Sequence, residues 1–319
     1  MRYKLFYILL SVAVVALAGF YYFSANKIET VKMSFADAEN LKFLLAVLQD
    51  KGIAEKHGLK LDVAFAPPFE AERRLIEKVD GVEVGSINPL SIVIANQTKN
   101  TKLRAFASTY QTNQALVVRA KSTFYRFEDL KGARFAMHPK GSASYTMHAL
   151  GMKTLGLDLD RDFKLVFGSF PQNEERLAKG EVEAAFLNVV ATARFLATGN
   201  YREIINLSDE WGSMTGSSVI PFVDLAAHAD WISQNPKNVE RLREAISDAA
   251  IFIRKNPQLI EEYKQILGLQ RPEEINLMKE RLPAIFPLTW LPEAHDALVK
   301  KAFELKLIQE FPRENIFIE

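Results

Sequence analysis

Between residues 31 and 207 the chain alternates short apolar runs with amphipathic stretches, and this alternation restricts the fold more than any other feature. The first run, Val31-Lys32-Met33-Ser34-Phe35, leads into a polar turn, Ala36-Asp37-Ala38-Glu39-Asn40, that can cap a helix with Leu41, Leu44, Leu45 and Leu48 on one face. That helical region ends near His57-Gly58, and a second strand follows over 59–66, where Leu59, Leu61, Val63 and Phe65 alternate. Pro67-Pro68 breaks it, a short helix runs through Arg74, Leu75 and Lys78, and a strand over 82–87, a helix over 90–97 and a strand over 103–108 complete the set. Strands and helices at this spacing predict an α/β fold with a parallel, doubly wound sheet, because each crossover must pack a helix back on the sheet face. Ligands of such sheets sit beyond the carboxyl ends of the strands, which selects segments 37–40, 67–70 and 86–88. Asp37, Asn40, Ser86 and Asn88 are the polar candidates there.

A second set of units follows, with strands over 114–119, 133–137, 163–167, 182–187 and 202–207 and helices over 173–179 and 190–198. Its central feature is Gly141-Ser142-Ala143-Ser144, placed between an apolar run and a helix in which Met147, Leu150, Gly151, Thr154 and Leu155 share a face, closed by Gly156. The first N–H groups of a helix lack intrahelical partners and carry the positive end of the peptide dipoles, so an oxyanion fits there, with Ser142 or Ser144 adding a hydroxyl. The alternative is that one serine simply caps the helix. A strand over 219–226 then leads into helices at Asn235-Pro236 and Asn256-Pro257, where an asparagine precedes a proline suited to the first turn. Leu242, Ala245, Ile246, Ala249, Ala250 and Ile253 form an apolar stripe between them that reads as core.

The 40 basic and 39 acidic residues leave a net charge of +1 with no basic stripe, so nucleic acid is not an expected partner. The absence of cysteine excludes disulfides, thiolate metal sites, cysteine nucleophiles and a lipid-modified cysteine. Residues 1–23 read as a signal peptide or an N-terminal membrane anchor: Arg2 and Lys4 precede an uncharged run over 5–23, close to the roughly 20 residues that span a bilayer. Ala16-Leu17-Ala18 has the form of a signal-peptidase site, whereas Gly19-Phe20-Tyr21-Tyr22-Phe23 extends the apolar segment. Either places the remainder outside the cytoplasm.

His57, His138, His148, His228 and His295 form no metal-binding spacing, and no metal or cofactor is expected. His138, before the glycine-serine turn, reads as a surface histidine at a strand end. No phosphate-binding loop and no G-x-S-x-G occurs. Tyr110, Tyr145 and Trp211 are aromatics able to stack on a planar ligand or to serve as rim or core.

The order of these elements resembles the periplasmic binding proteins of ABC importers for nitrate, sulfonate, taurine and thiamine-precursor ligands. The segments that carry the resemblance span about residues 31–270. They are Gly52-Ile53-Ala54-Glu55-Lys56-His57-Gly58-Leu59, Leu116-Val117-Val118-Arg119 with Phe127-Glu128-Asp129-Leu130-Lys131-Gly132, the Gly141 turn, Gly180-Glu181-Val182-Glu183-Ala184-Ala185-Phe186, and Asp230-Trp231 through Asn235-Pro236. The resemblance implies a type II periplasmic-binding-protein fold: two doubly wound lobes, residues 31–110 with 217–319 and residues 112–212, joined by two hinge crossings near 108–113 and 212–218. It implies a ligand in the cleft, met by Ser86 and Asn88 from the first lobe, to which the strand-end position adds Asp37 and Asn40 and the capacity to stack adds Tyr110 as candidates. Gly141, Ser142, Ala143, Ser144 and Asn188 would meet it from the second lobe, and Ser217 from the second crossing. At Asn188-Val189 the chain departs from the family's acidic or aromatic residue followed by proline. The expected function is extracytoplasmic capture of a small anionic or zwitterionic ligand by a monomer that delivers it to an ABC permease. An enzyme on the same scaffold and a membrane-anchored sensor are the alternatives; the export segment and the missing cysteine motif of pyrimidine-precursor synthases weigh against the enzyme.

Overall fold

The computed structural model describes residues 28–111, 114–140, 142–206, 211–212, 220–312 and 314–318. The segment 1–23, Gly141, Ser217 and nearly all of the 212–218 crossing lie outside the described residues.

Two five-stranded sheets form. The first contains β1 (Glu29–Ala36), β2 (Leu59–Ala66), β3 (Val84–Ile87), β4 (Leu103–Gln111) and a late strand, β10 (Pro221–His228), in the order β2-β1-β3-β10-β4. The second contains β5 (Ala115–Arg119), β6 (Arg134–Met137), β7 (Lys164–Phe167), β8 (Ala184–Leu187) and β9 (Tyr201–Asn206), in the order β7-β6-β8-β5-β9. β1 runs parallel to β2 and β3, and β6 runs parallel to β7 and β8. The expectation of wholly parallel sheets is corrected at one strand in each: β10 is antiparallel to β3 and β4, and β5 to β8 and β9. These strands adjoin the passages between sheets, so each enters its sheet from the side where the others end. β4 also runs to Gln111, beyond the expected end at 108.

Helices cover both faces. In the first sheet α1 (Glu39–Asp50) buries Leu41, Phe43, Leu44, Leu45 and Leu48 on one face, while α2 (Pro68–Ile76) and α3 (Pro89–Lys99) bury Leu75, Leu90 and Ile92 on the other. The polar turn before α1 does not cap it: the N-cap is Ala38, without a side-chain bond, and Asp37 pairs with Lys42 instead. Gly52, at φ 65°, takes the left-handed conformation that separates α1 from a short turn of helix, Ile53–Lys56. In the second sheet α4 (Ala143–Thr154) packs Ala149 and Met152 with Phe135 and Phe186, while α5 (Phe170–Lys179) and α6 (Val189–Leu196) place Leu177 and Ala191 on the opposite face.

The C-terminal helices join the two sheets. After α7 (Ala229–Gln234), α8 (Pro236–Lys255) buries the stripe of Leu242, Ala245, Ile246, Ala249, Ala250 and Ile253. Neither asparagine before it or after it caps a helix with its side chain: Asn235 and Asn256 turn back to donate to the carbonyls of Trp231 and Phe252. Met278 and Leu282 of α9 (Pro272–Ile285) cluster with Val190 and Ala193 of α6, and Leu298 of α10 (Pro292–Glu304) clusters with Met147 and Leu150 of α4. The second sheet is thus held from both faces.

Candidate functional site

Each sheet has a point where successive connections leave on opposite faces. In the first, β1 is followed by α1 to β2, and β2 by α2 to β3, so the crevice opens between β1 and β3; in the second it opens between β6 and β8. Crevices of this kind, beyond the carboxyl ends of strands, are where α/β sheets bind ligands.

In the first crevice the polar groups bond to one another and to neighbouring backbone. Ser86 accepts the Ala36 N–H at 2.9 Å, across the gap between β3 and β1. Asn88 caps α3 by accepting from the Leu90 N–H at 2.9 Å, while its amide donates to the Phe222 carbonyl on β10 at 2.8 Å. The Asn88 N–H is taken by the Glu72 carboxylate at 3.1 Å, and Ser91 also bonds Glu72. A carboxylate of α2 therefore occupies the start of α3, where an external anion would otherwise bind. The Glu72 residue is half-buried as a whole, but its carboxyl end is the enclosed part; burial pushes its pKa up to about 7 against the lowering effect of the Asn88 and Ser91 bonds. Asn40 is buried and bonds Tyr110, whose ring lies 5.5 Å from Phe222. Burial raises the Tyr110 pKa, and the charges of Glu39 and Glu72 push it further in the same direction. Asp37 is turned to Lys42 and stands apart from this group.

The second crevice has the opposite character. Ser142 is the N-cap of α4 and accepts the Tyr145 N–H at 3.1 Å, so the capping role expected as the alternative is the one it performs. Ser144, buried, accepts from the Gln114 amide at 3.2 Å. A hydroxyl that accepts one bond keeps its own proton, and both serines retain O–H donors beside the first N–H groups of α4. Asn188 caps α6 in the same way, accepting from the Ala191 N–H at 2.8 Å. Two helix starts thus flank the gap between β6 and β8.

His138 corrects the expectation of a surface residue: it is 5% exposed, its ring centroid 3.9 Å from that of Phe170. The Phe170 ring of α5 packs against it. Burial lowers its pKa to about 4. His148, one helical turn beyond Ser144, stacks on Phe186 at 3.6 Å and is fully buried. Trp211 is core, with 1% exposure, and Tyr145 is half-buried.

The sequence reading missed Glu72, Glu174, Arg194 and the depth of both histidines. Glu174 of α5 pairs with Arg194 of α6 at 2.8 Å. Burial raises the Glu174 pKa; Arg194 opposes that, and the Glu39 charge from the first lobe adds to it, so acids of the two lobes sense one another. In sequence Glu72 lies inside Glu70-Ala71-Glu72-Arg73-Arg74, which has the look of a solvated helix face. An open groove of about 480 Å³ lies elsewhere, on the first lobe, lined by His57, Ser108, Arg243, Asp248 and Trp290 among others. Its charged groups are engaged with each other or with backbone: His57 with Glu244 and Asp248, Arg243 with the carbonyls of Phe106 and Ile318. The crevices, with paired helix starts and opposed charge, are the better site.

Comparison with known proteins gives the family and the fold. The family model for the phosphonate-binding periplasmic substrate-binding protein of ABC transporters matches residues 36–273. Phosphonate is an oxyanion class that the motif-level resemblance did not name. No curated protein matches the sequence. Among solved structures, the periplasmic aliphatic sulphonate binding protein SsuA from Escherichia coli is similar with TM-score 0.69 at 16% identity, covering 91% of this chain and 92% of that one. The alkanesulfonate-binding protein SsuA from Xanthomonas axonopodis pv. citri, bound to MOPS, gives 0.68 at 18%, covering 91% and 97%. The periplasmic nitrate-binding protein NrtA from Synechocystis PCC 6803 gives 0.64 at 15%, covering 88% and 82%. These likenesses establish the two-lobed fold, and the match over most of the length establishes that the chain belongs to the family of periplasmic substrate-binding proteins of ABC transporters.

Proposed function

We propose that the ligand is a small zwitterion, an oxyanion joined by a short spacer to an amine, captured between the lobes and passed unchanged to a membrane permease. One observation carries this reading: the two crevices have opposite electrostatic character. In the second lobe the starts of α4 and α6 follow the adjacent strands β6 and β8, and the α4 start carries the hydroxyls of Ser142 and Ser144. In the first the start of α3 is already filled by Glu72, with Glu39 contributing further negative charge. An oxyanion gains most from the former and an ammonium from the latter. Ser142, Ser144 and Asn188 then belong to the oxyanion half, Asn40, Ser86, Asn88 and Tyr110 to the ammonium half. Asp37, paired with Lys42, sits at the rim.

The family's location puts capture on the extracytoplasmic side, where residues 1–23 would act as a leader or as an anchor and the protein would work as a monomer without catalysis. The test is a thermal-shift screen of taurine, 2-aminoethylphosphonate, nitrate and simple amines, followed by recovery of the ligand. A ligand present at 100 times its Kd stabilises the native state by about 2.7 kcal/mol, a shift of several degrees. Zwitterions should shift the midpoint most and come back chemically unchanged. A larger shift with nitrate than with either zwitterion refutes the ligand class, and a converted product refutes simple capture.

A further inference from the structure

The two faces of the second lobe are held unequally, and the stronger hold belongs to α9. This helix is fixed to the first lobe: the Phe286 ring at its end lies 6.1 Å from that of Phe43 on α1, and Arg254 of α8 donates to the Phe286 carbonyl at 3.0 Å. From the same helix Met278 and Leu282 cluster with Val190 and Ala193 of α6, and none of the four is more than 1% exposed. Polar ties surround this apolar centre. Arg281 pairs with Glu203 on β9 at 2.8 Å, the two side chains 25% and 18% exposed. Arg271, held by the buried Glu274 at 2.8 Å, donates to the Arg194 carbonyl of α6 at 2.9 Å. Gln111, at the end of β4 where the first crossing begins, donates to the Ala284 carbonyl at 2.8 Å. One helix thus touches the first lobe's core, the start of a crossing, and both α6 and β9 of the second lobe.

The opposite face is joined more lightly. Leu298 of α10 clusters there with Met147 and Leu150 of α4, the half-buried Leu307 packs alongside, and Lys153 reaches the Leu305 carbonyl at 3.3 Å. A lysine bond of that length is weaker than a guanidinium–carboxylate pair at 2.8 Å. Parting the latter also strips a largely buried charge of its partner. Lobes move against one another by default, but an interface that is apolar and continuous with a core resists parting. The α6–α9 seam is of that kind, since its residues belong to the same cluster as Phe35, Phe43 and Leu44 of the first lobe.

We infer that α9 is a splint between the lobes: its seam with α6 and β9 stays shut through capture and release, and the second lobe turns about it. The cleft then opens on the side where α4 meets α10, and the two crossings are joined by a third, non-covalent link. This does not depend on the ligand class proposed above.

The test is double electron–electron resonance on the full chain, refolded to strip any carried ligand. The sequence has no cysteine, so spin labels attach only at introduced sites. One pair, Asn200→Cys with Glu280→Cys, spans the seam, and a second, Arg161→Cys with Lys300→Cys, spans the opposite face; all four positions are exposed. The expected result is a single narrow distance across the seam and a broad or two-component distribution across the opposite face. Adding Arg281→Glu, which sets two carboxylates against each other, should give the seam pair a second, longer component, and the swapped pair Glu203→Arg/Arg281→Glu should remove it. A broad seam distribution in the otherwise unaltered protein overturns the splint, and narrow distributions at both pairs overturn the turning motion. An Arg281→Glu protein that melts earlier with the seam distance unchanged reduces the ion pair to a stabilising contact and also counts against the inference.

Discussion

The substitution Asp224→Asn probes the buried charge under the strands that pass between the lobes. Asp224 on β10 is fully buried; it accepts from the Ser108 hydroxyl on β4 at 2.6 Å, and His295 of α10 places Nε2 at 3.1 Å from Oδ1 and 3.0 Å from Oδ2. The other ring nitrogen of His295 lies 2.8 Å from the Leu291 carbonyl. Both nitrogens thus face acceptors, which requires the imidazolium. Burial alone would lower the pKa of His295, but the charge and hydrogen bond of Asp224 outweigh it and the net displacement is upward. Removing one partner of a buried ion pair costs about 3–5 kcal/mol. The lower half of that range applies, because an asparagine retains the Ser108 bond and His295 can shed its proton. The folded pKa of His295 is raised, so its contribution is complete below the ordinary histidine value near 6.5 and is lost as pH climbs through the raised value. Urea unfolding at about pH 6 and about pH 9 should therefore show a cost of about 3–4 kcal/mol at the lower pH and a smaller one at the higher. The double variant Asp224→Asn/His295→Gln should recover part of the loss, since no lone charge remains buried. A cost below about 1 kcal/mol at pH 6, or one independent of pH, refutes the ion-pair reasoning.

Three further outcomes are expected. Ser142→Ala should lower stability by about 0.5–2 kcal/mol through the lost α4 cap, and the Ser142→Ala/Ser144→Ala pair should weaken oxyanion binding well beyond that, as read by calorimetry. Glu72→Gln should reduce affinity for an amine-bearing ligand about tenfold or more while sparing simple anions, and the wild-type preference should strengthen as pH rises through about 7, the value to which burial pushes this carboxyl. Gly85→Ala on β3 should destabilise by about 1–3 kcal/mol in thermal melts, because an added Cβ would meet the Leu75 Cβ at 2.9 Å where α2 crosses the strand.

Much of the architecture was legible in sequence because period and punctuation are local. The strand 59–66 and the start of α4 fall where the apolar alternation and the serine after the apolar run place them. The caps were harder. Asn88, Ser142 and Asn188 do cap helices, yet Asn235 and Asn256 bond backward within the preceding turn, a choice between near-equal local partners that residue type does not settle. Among site residues, Asn40 and Tyr110 meet although they lie in separate units, and Asp37 leaves the group for Lys42.

By itself the sequence determined the α/β class, the two sets of strand–helix units and the start of α4 behind its Ser142 cap, all of which follow from hydrophobic period and helix-end chemistry within a few residues. Tertiary structure alone decided that the crossing strands run antiparallel, that Glu72 fills the start of α3, that His138 is buried rather than exposed, and that Asp224 meets His295. The reason is the same in each case: charge state and burial depend on which distant segments close over a group, and a one-dimensional pattern carries no distance between them.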